Sequence, residues 1–239
     1  MKNLPFILVV SLLTCCVEVD ISVPSFPDIS DYFNISDGLT QMTIAVNFLG
    51  FCVSGIIYGP MSDSFGRRKI MLIGNAIMML GACGCVLADS IEFLLASRFI
   101  QGFGASTSAV VAFAMIADAY SSEKSASIIG KMNSLITVFM SLAPIAGGFI
   151  NEAIGWRGNY GTIAIVSVIS WFMIYFWLPE TKKEYSDFNM HKIISDFKIL
   201  FTDKRFIYAS LKPSIGFAGW MIFVSCSPFL YMETYGLSI

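Results

Sequence analysis

Gly59-Pro60-Met61-Ser62-Asp63-Ser64-Phe65-Gly66-Arg67-Arg68-Lys69 interrupts an otherwise apolar sequence, with one hydrophobic run at 40–58 before it and another at 70–88 after it. Two runs, each close to the ~20 residues that cross a hydrocarbon core, joined by a short charged turn, read as a helical hairpin in a membrane. Further runs lie at 4–23, 93–117, 127–150, 160–178 and 206–231. Backbone polar groups find no water in lipid, and none of the runs alternates apolar and polar positions as a barrel strand does, so each predicts a helix. Composition agrees: hydrophobic residues make up 56% of the chain and charged residues 13%, against a globular norm of about 25% charged. The expected fold class is all-α and integral to the membrane.

Charge is uninformative in total, at a formal −2, but informative in position. If odd-numbered spans run from inside to outside, the Arg67-Arg68-Lys69 turn, Lys2, Lys124, Lys131 and the lysines and arginines at 182–212 all fall on one side. Only Arg98 and Arg157 of the fifteen basic residues do not. The positive-inside rule then places the N-terminus of this multi-pass chain in the cytoplasm. The first run is read as a retained helix: no small-residue cleavage site follows it, and Glu18 and Asp20 interrupt the place where one would fall. All six cysteines lie in apolar runs, where they behave as small hydrophobes, so neither a disulfide framework nor a metal site is expected. No phosphate-binding G-x-x-x-x-G-K-[ST] occurs, and the single histidine, His191, has no nucleophile or metal partner in view. No catalytic constellation, bound cofactor or nucleic-acid partner is expected.

The expected organisation is a six-helix bundle over 1–180, a polar linker over 181–205 and a seventh helix over 206–239 that starts an incomplete second bundle. Within the linker, 187–201 carries apolar residues at helical spacing and predicts an amphipathic helix on the inner membrane surface. A solvated connector is the open alternative.

Individual residues sharpen this. In the opening stretch Gly59 permits close backbone approach, Gly66 a tight reversal and Asp63 a helix cap or cation contact, while Arg67 and Arg68 anchor the turn. Arg98 lies inside the fourth run, followed by Phe99-Ile100-Gln101-Gly102-Phe103-Gly104-Ala105, and an intramembrane guanidinium calls for a polar interior and a partner. Glu18 and Asp20 in the first run lie at matching depth. Residues two apart on a helix project about 200° apart, so only one of them can face Arg98. In the fifth run Gly130, Ala143, Pro144, Gly147 and Gly148 form a face of small residues with a bend, which suits close helix packing.

These motifs resemble those of the major facilitator superfamily, whose first bundle carries G-x-x-x-D-x-x-G-R-R between its second and third helices. Asp20-x-x-x-Pro24-x-x-Pro27 and Ala143-Pro144-x-x-Gly147-Gly148 are similar to the Bcr/CflA group of drug-resistance exporters within it. The resemblance implies 3+3 inverted repeats and a proton gradient as the energy source. It implies that Asp63 latches onto a helix of the second bundle in the inward-closed state, that Arg67 pairs with Asp118, and that Arg98 tunes proton exchange at Asp20. Glu18 is left to line the cavity or stabilise a cation. Gly130, Ala143 and Pro144 through Gly148 follow the exporters' fifth-helix signature, although Phe139 and Ala143 stand where its strict form has glycines. The implied partners are an apolar drug, membrane lipid and a second bundle missing from the chain or encoded separately. A metabolite or sugar symporter, and a non-transporting fragment, are the other readings.

Overall fold

The computed structural model describes residues 3–186 and 188–231. These form α1 (Leu4–Asp20), a 3-10 turn (Val23–Ser25), α2 (Phe26–Phe33), α3 (Asp37–Phe65), α4 (Arg67–Val86), α5 (Ile91–Ala119), α6 (Ser122–Ile154), α7 (Trp156–Trp177), α8 (Met190–Thr202) and α9 (Lys204–Phe229), with no strand among the described residues. Seven segments are long and apolar enough to cross a membrane: α1 together with α2, then α3 to α7, and α9. The first span reaches Phe33 instead of stopping near 23. Pro24 lacks an amide donor and breaks α1 into a tight turn, and Pro27 falls in the first turn of α2, where its missing N–H has no partner to lose. In the linker, helix forms over Met190–Thr202 and not from 187; Asp187 itself lies outside the described residues. Asp203 ends that helix and caps the next, its carboxylate accepting from the Arg205 amide at 2.8 Å, so α9 starts at Lys204.

The packing has an internal twofold pattern. α1, α5, α4 and α7 touch in a closed ring, with α3 flanking α5 on one side and α6 flanking α1 on the other. Exchanging the first three spans for the next three leaves this contact list unchanged, as an inverted repeat requires. Gly66 (φ +98°) and Gly155 (φ +76°) occupy matching places, each turning the corner between two helices in one residue with a backbone that side chains resist. At the middle of the ring Ser11 donates to the Asn75 amide oxygen at 3.2 Å, and the Asn75 nitrogen donates to Ser108 at 3.2 Å and to the Met71 carbonyl at 3.0 Å. Ser170 completes the set. Four helices are thereby held in one rotational setting by a buried polar group whose hydrogen-bonding capacity is used.

Small residues set the closest approaches, but not everywhere the sequence predicts. A Cβ on Gly102 would lie 2.0 Å from the Asn47 carbonyl oxygen, and one on Gly104 2.1 Å from the Met78 amide, so α5 meets α3 and α4 backbone to backbone. Gly59 is a correction: its nearest neighbour is the Val110 side chain, at ordinary contact, and α3 closes on α5 at Gly50 instead. Gly130 faces open space, whereas Gly147, buried beside Ala143 and Gly148, meets the Ile21 carbonyl where α1 ends.

α9 is exposed along most of its length; Val224, Pro228 and Phe229 are buried, and Phe229 packs on Phe26 at the end of the bundle far from the Gly66 turn. α9 therefore leans on the bundle at that end.

Candidate functional site

α1 delivers its two acids in its last turn, and both are buried. Asn47 of α3 donates to Glu18 Oε1 at 3.3 Å and, with the same nitrogen, to the Arg98 carbonyl oxygen at 3.2 Å. The Arg98 guanidinium donates through Nη1 to Gln101 Oε1 at 2.9 Å and lies over the Tyr160 ring, 5.6 Å from its centroid. Its Nε and Nη2 find no hydrogen-bond partner among the described residues. Both oxygens of Asp20 lack a partner among the described residues. The expected contact of Asp20 with Arg98 does not form; it is Glu18 that Asn47 ties to the backbone of Arg98, with Glu18 Oε2 also lacking a partner among the described residues. The reason is rotational: the ~200° between the two positions lets one acid approach α5, and the azimuth at which α1 packs presents Glu18.

Both acids nevertheless border one cavity of about 320 Å³, lined also by Phe48, Phe51, Met140, Phe217 and Met221. Its wall is apolar and polarisable apart from the carboxyls and Asn47. Such a space accepts an apolar molecule of variable shape, because methionine and aromatic side chains repack easily. Asp20 lies in this wall with neither oxygen partnered among the described residues, and burying an unpaired carboxylate is costly.

At the other functional stretch, Arg67 gathers the loop. It donates through Nε to Asp118 Oδ2 at 2.9 Å, through Nη1 to Ser62 at 2.6 Å, and pairs with Asp63 at 2.7 Å. Asp63 also receives Lys182 Nζ at 2.6 Å, and its carbonyl accepts from the Ser186 amide at 3.1 Å. Arg68 donates to the Tyr175 carbonyl.

The sequence reading missed Glu180. Its carboxylate accepts from the amides of Arg67 and Arg68 at the start of α4, both at 3.1 Å, and from those of Thr181 and Lys182, both at 2.9 Å. A carboxylate at a helix N-terminus satisfies orphan donors and complements the helix dipole. A Cβ at position 66 would approach Glu180 Oε2 to 2.7 Å, so the glycine also makes room for this cap. The available signal was an acid directly after Pro179, just beyond a span; nothing in its spacing tied it to position 67. Asn47, a lone amide in an apolar run, was open to notice on the same ground as Arg98.

Membrane-crossing helices whose first six fall into inverted halves, with ionisable groups buried where the halves meet, define a secondary-transporter fold. The chain belongs to the major facilitator superfamily: the model of that family matches residues 8–239. It is similar to multidrug resistance protein D of Escherichia coli K12, 29% identical over 99% of this chain and 60% of that protein. A bicyclomycin resistance protein homologue of Haemophilus influenzae is 26% identical over 98% and 60%, and the chloramphenicol resistance protein CraA of Acinetobacter baumannii 24% identical over 96% and 55%. The chain thus spans about 60% of the length of the first two relatives. In fold it resembles a bacterial homologue of the human lysosomal transporter Spinster, inward-facing and unoccupied, with TM-score 0.71 and 19% identity over 99% of this chain and 56% of that one. It also resembles the proton:xylose symporter XylE, with TM-score 0.68 and 16% identity over 75% and 45%.

Proposed function

We propose that the chain supplies the first bundle and seventh helix of a proton-driven exporter of drugs or other small apolar compounds. It works by alternating access in a bacterial inner membrane, with the N-terminus and the Gly66 turn on the cytoplasmic side. A second bundle, encoded on the same gene or separately, completes it. The observation that carries this reading is the cavity of aromatic and methionine side chains into which two buried carboxyls project, one held by Asn47 and the other unpartnered. Asp20 exchanges the proton, while Glu18 lines the drug cavity beside it. The Gly66 turn, with Arg67 at its centre, serves as the inward-closed latch. Resistance named for the relatives above is in keeping with export.

The test is transport of a fluorescent drug in everted vesicles containing the complete protein. An imposed proton gradient should drive uptake into the vesicles, and Asp20→Asn should abolish the gradient-driven component while leaving membrane insertion intact. Undiminished transport by the Asp20 variant would remove Asp20 from the coupling step. Drug movement down the proton gradient in the opposite sense would identify an importer.

A further inference from the structure

The Gly66 turn has a counterpart at the opposite end of the bundle. One constant shift along the chain carries Gly66 onto Gly155, Arg68 onto Arg157 and Val86 onto Tyr175. Arg68, at the start of α4, donates to the Tyr175 carbonyl near the end of α7. Arg157, at the start of α7, donates through Nε to the Val86 carbonyl at 3.2 Å, at the end of α4. Donor and acceptor have changed places, as an inverted repeat demands. Arg157 goes further than its counterpart: Nη2 donates to the Ala88 carbonyl at 2.7 Å and to the Tyr32 hydroxyl at 3.1 Å, and the guanidinium lies 4.1 Å from the Trp156 centroid and 4.5 Å from that of Tyr32. Beside it Asn151 donates to Asp28 at 2.6 Å, tying α6 to α2. Two planar cations thus staple the same helix pair at its two ends, and a fork with five donors suits this where an ammonium would not.

The Arg157 staple reaches α9 through α2, which touches both. Tyr32 meets Trp156 edge-on, as Trp156 meets Tyr160, and α2, which carries Tyr32, also carries Phe26, whose ring lies 6.4 Å from that of Phe229 on α9. At the Gly66 end the loop meets the linker and α8, through Lys182 on Asp63 and a groove shared with Ile193 and Phe197.

We propose that Arg157 is the positioning residue of a second clasp, which holds α2, α4 and α7 in the setting that seats α9 at the outer end and so favours the outward-closed state. This rests on the alternating-access reading, in which the Gly66 turn favours the inward-closed state. Its consequence is antisymmetric: loss of Arg157 and loss of Arg68 push the access equilibrium in opposite directions.

The test uses spin-label pairs on the complete protein in nanodiscs, with the remaining cysteines replaced. Asp31 with Cys226 reports the outer gap and Phe65 with Tyr208 the inner one. Arg157→Gln should lengthen the outer distance by on the order of 5 Å, the scale of a one-turn helix displacement, and shorten the inner one. Arg68→Gln should do the reverse, and Arg157→Lys, which keeps the charge but loses the fork, should fall between wild type and Arg157→Gln. Shifts of the same sign for the two glutamine variants would overturn the proposal. So would an Arg157→Gln protein whose thermal midpoint falls while both distances stay as in wild type, since that is a structural pin only. The distances are read without any substrate, so failure of the transport reading leaves this measurement standing.

Discussion

At the scale of single residues, Arg98 is the point on which the interior depends, because a guanidinium with two unpartnered nitrogens is tolerated only beside compensating charge. Glu18 is the acid at hand, Asn47 holding it to the backbone of Arg98. Replacing Glu18 or Arg98 singly by glutamine leaves the other charge uncompensated. Each should therefore lower the thermal midpoint in detergent more than the double replacement does, with a coupling of about 1 kcal/mol or more in the double-mutant cycle. Additive losses would mean that the two groups do not sense each other. That an arginine and an acid at similar depth belong together was legible in the sequence, since both are costly in lipid. Which acid was not, because positions 18 and 20 differ only by a rotation that the packing of α1 selects.

At the scale of elements, helix approach and helix capping decide what each change does. A methyl group on Gly102 runs into the backbone of α3, which cannot yield without moving the helix, whereas one on Gly130 meets open space. Gly102→Ala should destabilise by about 1–3 kcal/mol, as overpacked sites do, while Gly130→Ala should stay within roughly 0.5 kcal/mol; thermal unfolding of the two variants side by side checks this, and equal losses would count against the close approach. Glu180 is the corresponding test for the loop. Glutamine there turns two acceptor oxygens into one and faces amide hydrogens with more hydrogens. Amide exchange at Arg67, Arg68, Thr181 and Lys182 in Glu180→Gln should quicken by about tenfold, as a local opening would produce. Unchanged rates at Arg67 and Arg68 would show that α4 has another cap. Helix periodicity announced the elements, and Gly66 and the prolines announced their ends. The cap from Glu180 was hidden because it joins positions brought together only when α7 returns alongside α4.

At the scale of the whole molecule, the basic end carries Lys182 and Lys183 beside the Gly66 turn, and the opposite end carries Asp28, Asp31 and Asp89. A single cysteine at Tyr185, which is exposed, should react with a membrane-impermeant maleimide only in inside-out vesicles, and one at exposed Asp31 only in right-side-out vesicles. Labelling of both positions from one side would invalidate the topology. What the sequence by itself determined was what lipid dictates: the number and length of apolar spans, the side on which positive charge collects, and the few places where a charge inside a span must be compensated. These follow from transfer free energies that depend on composition along the chain and not on its neighbours. Only the tertiary structure decided which acid Asn47 ties to Arg98, that Lys182 and Glu180 hold the loop, and that Arg157 mirrors Arg68. Each of those depends on the rotation of one helix against another, and that is set by glycine contacts and a buried asparagine acting across the bundle.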